Sequence, residues 1–145
     1  MKSENIIKIE FLSKSCNESF ARVTVAALAA QKDPTLEQIN EIKTAVSEAV
    51  TNAIVHGYKD KIGVIYITAK LCSDKLIVSI RDKGCGIDDI DQAMEPLFTT
   101  GDESERSGMG FTIMESFMDK ISVRSTPGRG TKVTMTKKLI SKAEV

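Results

Sequence analysis

The 145-residue sequence contains no tryptophan, one histidine, three prolines and no surplus of charge of either sign. Its 20 basic and 20 acidic residues cancel, so no overall field attracts nucleic acid or an anionic membrane. Its three cysteines are an odd number and lack Cys-x-x-Cys spacing, which argues against a disulfide framework and against a zinc site. We therefore expect reduced thiols and no direct nucleic-acid partner.

Long apolar runs are also missing. No run approaches the roughly 20 residues that a membrane-spanning helix requires. The first residues, Met1-Lys-Ser-Glu-Asn5, carry no apolar segment of the kind found in a signal peptide. A chain of this length suits a single domain over residues 1–145. We expect a cytoplasmic protein without membrane contact.

Hydrophobic periodicity divides the chain into strands and helices. Alternating apolar residues at positions 7–11 predict a half-buried strand. Ser15 or Asn17 is the expected N-cap of the helix that follows. The apolar stripe that we expect this first helix to turn toward the core consists of Phe20, Val23, Ala27 and Leu28.

A second, longer helix is predicted after Pro34. Thr35 and Gln38 have the spacing of a capping box, and Gly57 is the expected end of the helix. Its apolar stripe consists of Ile39, Ile42, Val46, Ala49, Val50 and Ala53.

The rest of the chain is predicted to consist mainly of hairpins. After the second helix, strands are expected over residues 64–71, 76–80, 121–124 and 131–136, and a short helix over residues 108–118. Consecutive hairpins with few helices predict an α+β fold, a two-layer α/β sandwich with a mixed, mainly antiparallel sheet and helices on one face. Gly84-x-Gly86 lacks the third glycine of a dinucleotide-binding turn, and the chain has no G-x-x-x-x-G-K-[ST] motif.

Glu48 and Asn52 lie one turn apart on the second helix, about 40° from each other beside the apolar stripe. A neutral amide oxygen can bind Mg²⁺ without adding charge to a phosphate-rich site, and a carboxylate can accept a proton from a nucleophile. Taken alone, the pair is more typical of a solvated helix flank. His56 follows one turn later, where interaction with the helix dipole is the more typical role.

Two further segments contain glycines beside a charged residue. Asp82 follows a predicted strand and precedes Gly84 and Gly86, so its carboxylate can accept a hydrogen bond from an exocyclic amine while the glycines let a flat ligand approach the backbone. Gly108 and Gly110, with Arg106 ahead of them, open a predicted helix whose N-terminal amides suit an anion. Each signal alone is weak, but their order and placement together indicate an ATP site.

These residues carry a family resemblance. The segments Glu48-Ala-Val-Thr-Asn52, Asp82-Lys-Gly84-Cys-Gly86 and Arg106-Ser-Gly108-Met-Gly110 resemble the N, G1 and G2 boxes of the Bergerat-fold (GHKL) ATPases and kinases. Within that superfamily, almost every segment of the chain is similar to the anti-sigma serine kinases of spore-forming bacteria. The resemblance implies the Bergerat fold, with ATP or ADP and Mg²⁺ as cofactors.

The resemblance also implies roles for individual residues. Glu48 would be the general base, Asn52 the Mg²⁺ ligand and Asp82 the residue that reads adenine beside Gly84 and Gly86. An ATP lid would cover residues 96–107. The remaining nucleotide contacts would come from Thr99, Thr100, Arg106, Ser107, Gly108, Met109 and Gly110.

The implied partners are proteins. The resemblance implies a homodimer that holds the sporulation sigma factor F inactive and phosphorylates a small anti-anti-sigma factor on a serine. The resemblance further implies that Arg22 contacts both partners. Helix geometry is compatible with this role, because Arg22 lies roughly 160° from Phe20 and 100° from Val23 and so points away from the predicted stripe. A solvated arginine is the expectation from helix position alone.

One segment departs from the family pattern. Relatives in this family carry a lysine after the paired lid threonines, whereas here Thr99 and Thr100 precede the acidic residues 101–105. A contact between a lysine of the lid and the nucleotide is therefore not expected, and Mg²⁺ becomes more important for neutralising the charge of the phosphates. The alternatives are a nucleotide-gated binding module without significant kinase activity, a histidine-kinase-like catalytic domain, and an ATPase that uses Glu48 to activate water.

Overall fold

The computed structural model describes residues 3–94 and 110–144. Five strands are found there: β1 (Asn5–Leu12), β2 (Val64–Cys72), β3 (Lys75–Asp82), β4 (Lys120–Thr126) and β5 (Gly130–Lys138). They form one sheet in the order β1-β2-β3-β5-β4, and every neighbouring pair is antiparallel. The predicted α+β fold with a mainly antiparallel sheet is confirmed, and no parallel pair occurs among the described strands.

The helices are α1 (Asn17–Ala29), α2 (Leu36–Asn52), α3 (Ile90–Ala93) and α4 (Gly110–Phe117). Helix α2 packs between α1 and α4. Residues of β2 and β3 alternate between buried and half-buried positions, as expected when one sheet face meets helices and the other does not. Ile42, Val46, Ile67, Val78 and Met135 are buried in the layer between the sheet and the helices.

The prediction for α2 is largely confirmed. Thr35 caps the helix by accepting a hydrogen bond from the backbone N–H of Gln38 at 3.2 Å. The predicted stripe is buried, apart from Ile39, which is partly buried. The predicted end at Gly57 is wrong, because the chain continues as a π-helical segment (Ala53–Tyr58) and turns at Lys59, which has a φ of 56°.

The prediction for α1 is wrong in two respects. Its N-cap is Cys16, which makes no capping hydrogen bond, and the side chain of Asn17 instead donates to the carbonyl of Leu12. Phe20 and Val23 of the predicted stripe are 54% and 53% exposed. The face that α1 buries consists of Ala21, Val25, Ala26, Leu28 and Ala29. This face combines three alanines with Val25 and Leu28, so α1 packs closely against α2 while Phe20 and Val23 point outward.

The core also contains one buried cation. Lys137 on β5 is 7% exposed, and its ammonium group donates to Glu41 at 3.1 Å and to the carbonyl of Phe117 at 2.5 Å. This lysine therefore joins the end of α4 to α2 on the helix-covered face of the sheet. Its ammonium group has both a charge partner and a carbonyl acceptor.

The three cysteines are free thiols, as predicted. None of the helices in the described ranges is both long enough and apolar enough to cross a membrane.

Candidate active site

A cavity of about 440 Å³ opens where α2 and the π-helical segment meet the end of β3 and the start of α4. Its volume lies within the roughly 300–1,000 Å³ typical of small-molecule sites. Apolar walls come from Ala53, Ile80, Phe111 and Val133. Such walls suit a flat heteroaromatic ring, and the polar groups between them decide which ring is accepted.

Asp82 is the most buried charged group at this cavity. It is 6% exposed, and its Oδ1 accepts a hydrogen bond from the backbone N–H of Gly84 at 2.9 Å. Burial raises the pKa of Asp82, while hydrogen bonds from the backbone of Gly84 and Thr131 oppose the rise. A carboxylate with few protein donors and little water is a strong acceptor for an amine on the ligand.

Two glycines make the position of Asp82 possible. A Cβ on Gly57 would lie 2.9 Å from the Asp82 carboxylate, and a Cβ on Gly84 would lie 2.1 Å from the carbonyl oxygen of Gly57. The N–H of Cys85 donates to that same carbonyl at 2.9 Å. The π-helical segment, the carboxylate and the loop after β3 thus fit together only without side chains at these two positions.

Gly86 holds the other end of the loop. Its φ of +76° is left-handed, and a Cβ there would lie 2.4 Å from the carbonyl oxygen of Thr126. The N–H of Gly128 donates to the carbonyl of Cys85 at 2.6 Å. The loop is therefore docked on the β4–β5 turn, and this contact fixes one wall of the cavity.

Asn52 and Glu48 occupy different positions relative to the cavity. Asn52, Ala49 and His56 line it, whereas Glu48 is half-buried directly before Ala49 and is not a lining residue. Asn52 ends α2, where the helix widens into the π form that is frequent at functional sites. The predicted pairing on one helix is thus present, with only the amide directly at the cavity.

The predicted phosphate segment lies only partly within the described ranges. Gly110 begins α4 and lines the cavity. The predicted sites Thr99, Thr100, Arg106, Ser107, Gly108 and Met109, and the lid over residues 96–107, lie outside the described residues.

Sequence reasoning missed Tyr58 and the role of Gly57. The hydroxyl of Tyr58 donates to the carbonyl of Val64 at 2.5 Å and accepts from the N–H of Lys83 at 2.8 Å. Burial is the main cause of the raised pKa of Tyr58. This phenol ties the end of the π-helical segment to the residue after Asp82. Tyrosine followed by a polar run carries no sequence signal for such a role.

The described residues at this site offer few ligands for a divalent cation. Within residues 3–94 and 110–144, no group of three or more His, Cys, Asp or Glu side chains is arranged to hold a metal ion. The amide of Asn52 would supply one oxygen, and Mg²⁺ commonly takes most of its remaining ligands from substrate phosphates and water. The donor set therefore suits a metal that arrives with a nucleotide.

Comparison with known proteins agrees with this geometry. Residues 16–137 match the family described as the histidine kinase-like ATPase domain. The anti-sigma F factor of Thermoanaerobacter sp. (strain X514) is 60% identical over 137 residues, which are 94% of this chain and 96% of that protein. The anti-sigma F factor of Clostridium acetobutylicum is 58% identical over 135 residues, covering 93% of this chain and 94% of the relative.

A solved structure shows the same fold at lower identity. The crystal structure of the RsbU and RsbW domains of Rv1364c from Mycobacterium tuberculosis superposes with a TM-score of 0.67 and 21% identity. The match covers 93% of this chain but only 32% of that longer chain. At this identity it shows the fold alone.

Replacing Asp82 by Asn is expected to weaken ATP binding by about 1.5–3 kcal/mol, because a buried charged acceptor for the ring amine is lost. GTP, whose corresponding position is a carbonyl, is expected to bind the wild type more weakly than ATP. Calorimetric titration of both nucleotides measures these differences. Equal ATP affinities for wild type and Asp82→Asn would contradict the role of this carboxylate.

The same variant has an opposite expected effect on stability. Because the folded-state pKa of Asp82 is raised, its ionised form destabilises the fold above that pKa, and the penalty disappears below the unfolded-state pKa. Asp82→Asn should therefore be at least as stable as wild type at pH 7, with the difference closing as pH falls. The free energy of unfolding of both proteins is measured in urea from pH 7 down to acidic pH, and the same measurement shows whether the variant folds.

Proposed function

The chain belongs to the histidine kinase-like ATPase family and, within it, to the anti-sigma F factors, and from this membership we propose that it is an ATP-dependent serine protein kinase. In this proposal one cytoplasmic domain holds sigma factor F inactive and phosphorylates the anti-anti-sigma factor on a serine. The observation that carries the nucleotide part is the buried Asp82 carboxylate at the end of an apolar cavity.

Each residue at the cavity has a proposed task. Asp82 accepts a hydrogen bond from the exocyclic amine of adenine, and the apolar walls cover the ring. Asn52 contributes its amide oxygen to Mg²⁺, which neutralises charge on the phosphates. The N–H groups at the start of α4, which begins with Gly110 at the cavity, would bind the phosphates.

Glu48 is proposed as the base that accepts the serine proton. It lies one turn before Asn52, next to a residue that lines the cavity, and it is only half-buried, so a hydroxyl delivered by a protein partner can approach it. A base outside the nucleotide cavity suits a kinase, because the acceptor belongs to another protein and enters from outside.

Glu48→Gln is expected to retain Mg-ATP but to lower the rate of phosphoryl transfer by about 10²–10⁴-fold. Asn52→Ala is expected to lose the Mg²⁺-dependent part of nucleotide binding as well. The matched control is Glu37→Gln, an exposed glutamate on the same helix, which should keep the wild-type rate. The measurement is phosphoserine formed on the anti-anti-sigma factor with time.

The result also separates this function from its alternative. If Mg-ATP is bound but wild type forms no phosphoserine, the protein is a nucleotide-gated binding module. If Glu48→Gln phosphorylates at the wild-type rate, another group is the base.

Arg22 is proposed to contact both protein partners. Its guanidinium donates to Glu18 at 3.2 Å, and the other oxygen of Glu18 accepts from the hydroxyl of Thr51 on α2 at 3.3 Å. The Arg22 side chain is still 38% exposed. Because Phe20 and Val23 are themselves exposed, they do not define the side of α1 opposite Arg22. The proposal rests instead on the exposure of Arg22 and on the family relationship.

Arg22→Ala is expected to weaken sigma factor F binding in ATP and anti-anti-sigma binding in ADP, each by about 2 kcal/mol or roughly 30-fold. Glu18→Gln is the matched control, since it removes the charge partner but leaves Arg22 at the surface. Binding is measured by titration, with nucleotide affinity as the control for folding. Unchanged affinities in Arg22→Ala would remove this residue from the interface.

The exposed apolar face of α1 is the proposed homodimer contact. Phe20 and Val23 are about half exposed, and the edge strand β1 exposes Ile6 at 47% and Leu12 at 45% on the opposite side of the sheet edge. Apolar side chains next to an unpaired strand edge are typical of a surface that a second copy covers.

Phe20→Glu combined with Val23→Glu is expected to shift the protein from dimer to monomer, because both charges would be buried at the contact. Leu36→Glu is the matched control, since Leu36 is 71% exposed but lies at the start of α2. Sedimentation equilibrium measures the assembly. A dimer that survives the double substitution would exclude this face.

A further inference from the structure

The sheet face that carries no helices has a row of three cations in direct register. Arg81 on β3 pairs with Lys132 on β5, and Lys132 pairs with Arg124 on β4. All three residues are exposed. Like charges directly opposite one another destabilise a sheet, so this row is a cost that the fold carries.

Two more cations extend the row into a concave surface. Lys83 follows β3 and Arg129 lies in the β4–β5 turn, and together with the row they line a shallow hollow of about 470 Å³. The hydroxyl-bearing residues of the lining are Ser125, Thr126 and Thr131. We call this surface, lined by Arg81, Lys83, Arg124, Arg129 and Lys132, the basic hollow.

Within the part of the chain that the structure describes, this charge is largely uncompensated. Among the described residues, no salt bridge involves any of the five cations. The one carboxylate in the lining, Asp82, is 6% exposed and accepts from the N–H of Gly84. Arg81 and Lys83 lie 4.7 Å and 5.0 Å from the centre of the Tyr66 ring, which orients them without neutralising them.

We propose that the basic hollow docks an acidic segment of a protein partner. Adjacent strands lie about 4.8 Å apart, so the row across three strands spans roughly 10 Å. That width fits one extended peptide, whose carboxylates can each meet an arginine or lysine, and the arginines can bind them with two parallel hydrogen bonds.

The same observations disfavour a nucleic acid. Single-stranded nucleic acid is commonly held by bases stacked on aromatic rings, but the Tyr66 ring already carries the two cations. The chain has no net charge, so attraction acts only near the hollow, within a screening length of about 10 Å. A short acidic peptide needs no longer-range field.

This surface differs from those proposed for the kinase. It lies on the face of the sheet away from α1 and α2, and so away from Arg22 and Phe20. It meets the nucleotide cavity only at Asp82 and Thr131, which line both concavities. Its occupant can therefore bind at the same time as a ligand in the cavity.

The test uses a fluorescein-labelled octaglutamate peptide and the full-length chain at low salt. Arg124→Glu with Lys132→Glu is expected to weaken binding at least tenfold. The matched control, Lys70→Glu with Lys120→Glu, makes the same change in net charge at the other end of the same sheet face and should change binding less than threefold. ATP affinity should be unchanged in both.

Thermal unfolding separates docking from damage. The double substitution Arg124→Glu with Lys132→Glu replaces the repulsion between positions 81 and 132 by attraction and keeps a like-charge pair between positions 124 and 132, so one of the two repulsive pairs is removed. The variant should therefore unfold at the same or a higher temperature than wild type while binding the peptide less. Supporting results are loss of peptide with retained stability, and weaker peptide binding as salt rises.

Three outcomes would overturn the proposal. Wild type does not bind octaglutamate at low salt, or both double variants lose binding equally, which would indicate general charge attraction. In the third, a labelled 20-nucleotide single-stranded DNA binds wild type more tightly than the peptide does at equal ionic strength, and it does not bind the variant Arg124→Glu with Lys132→Glu. That result would indicate a nucleic-acid surface.

Discussion

The contact between Gly57 and the carboxylate of Asp82 is the constraint on which the site depends. The carboxylate is buried at the end of β3, and the backbone of the π-helical segment passes so close that a single methyl group at Gly57 would touch it. Gly84 then packs on the carbonyl of Gly57, and Gly86 packs on the β4–β5 turn. The walls of the cavity are therefore positioned by backbone contacts, and side chains supply only the chemistry.

Much of this arrangement is predictable from the sequence, and α2 shows why. Its cap, its stripe and the turn-spaced Glu48 and Asn52 are local features, each determined by residues within a few positions. Asp82 and its glycines are likewise predictable as a unit, because a carboxylate that ends a strand before a glycine turn is a local pattern. The reason for Gly57 is not predictable, since the residue that it contacts is distant in the chain and comes close only when the sheet and helices pack.

Helix α1 shows where the same reasoning fails. Phe20 and Val23 are large apolar residues at core spacing, so periodicity assigns them to the core. The buried face of the helix instead combines three alanines with Val25 and Leu28, because close approach to α2 favours mostly small side chains on that side. The net charge of the chain is likewise a poor guide to its surface. Strand alternation gathers cations on one sheet face, and a net charge of zero does not report how the charges are distributed.

The carboxylate of Glu18 links two regions that the sequence keeps 33 residues apart. One of its oxygens binds Arg22 at the surface, and the other binds Thr51, whose neighbour in the chain is Asn52 at the cavity. The same carboxylate therefore contacts the residues that lead to both positions. If a change at Arg22 alters the affinity at Asn52, thermodynamic reciprocity requires occupancy at Asn52 to alter the affinity at Arg22 by the same factor. The two hydrogen bonds of Glu18 would then couple binding at Arg22 and at Asn52 in both directions without a hinge motion.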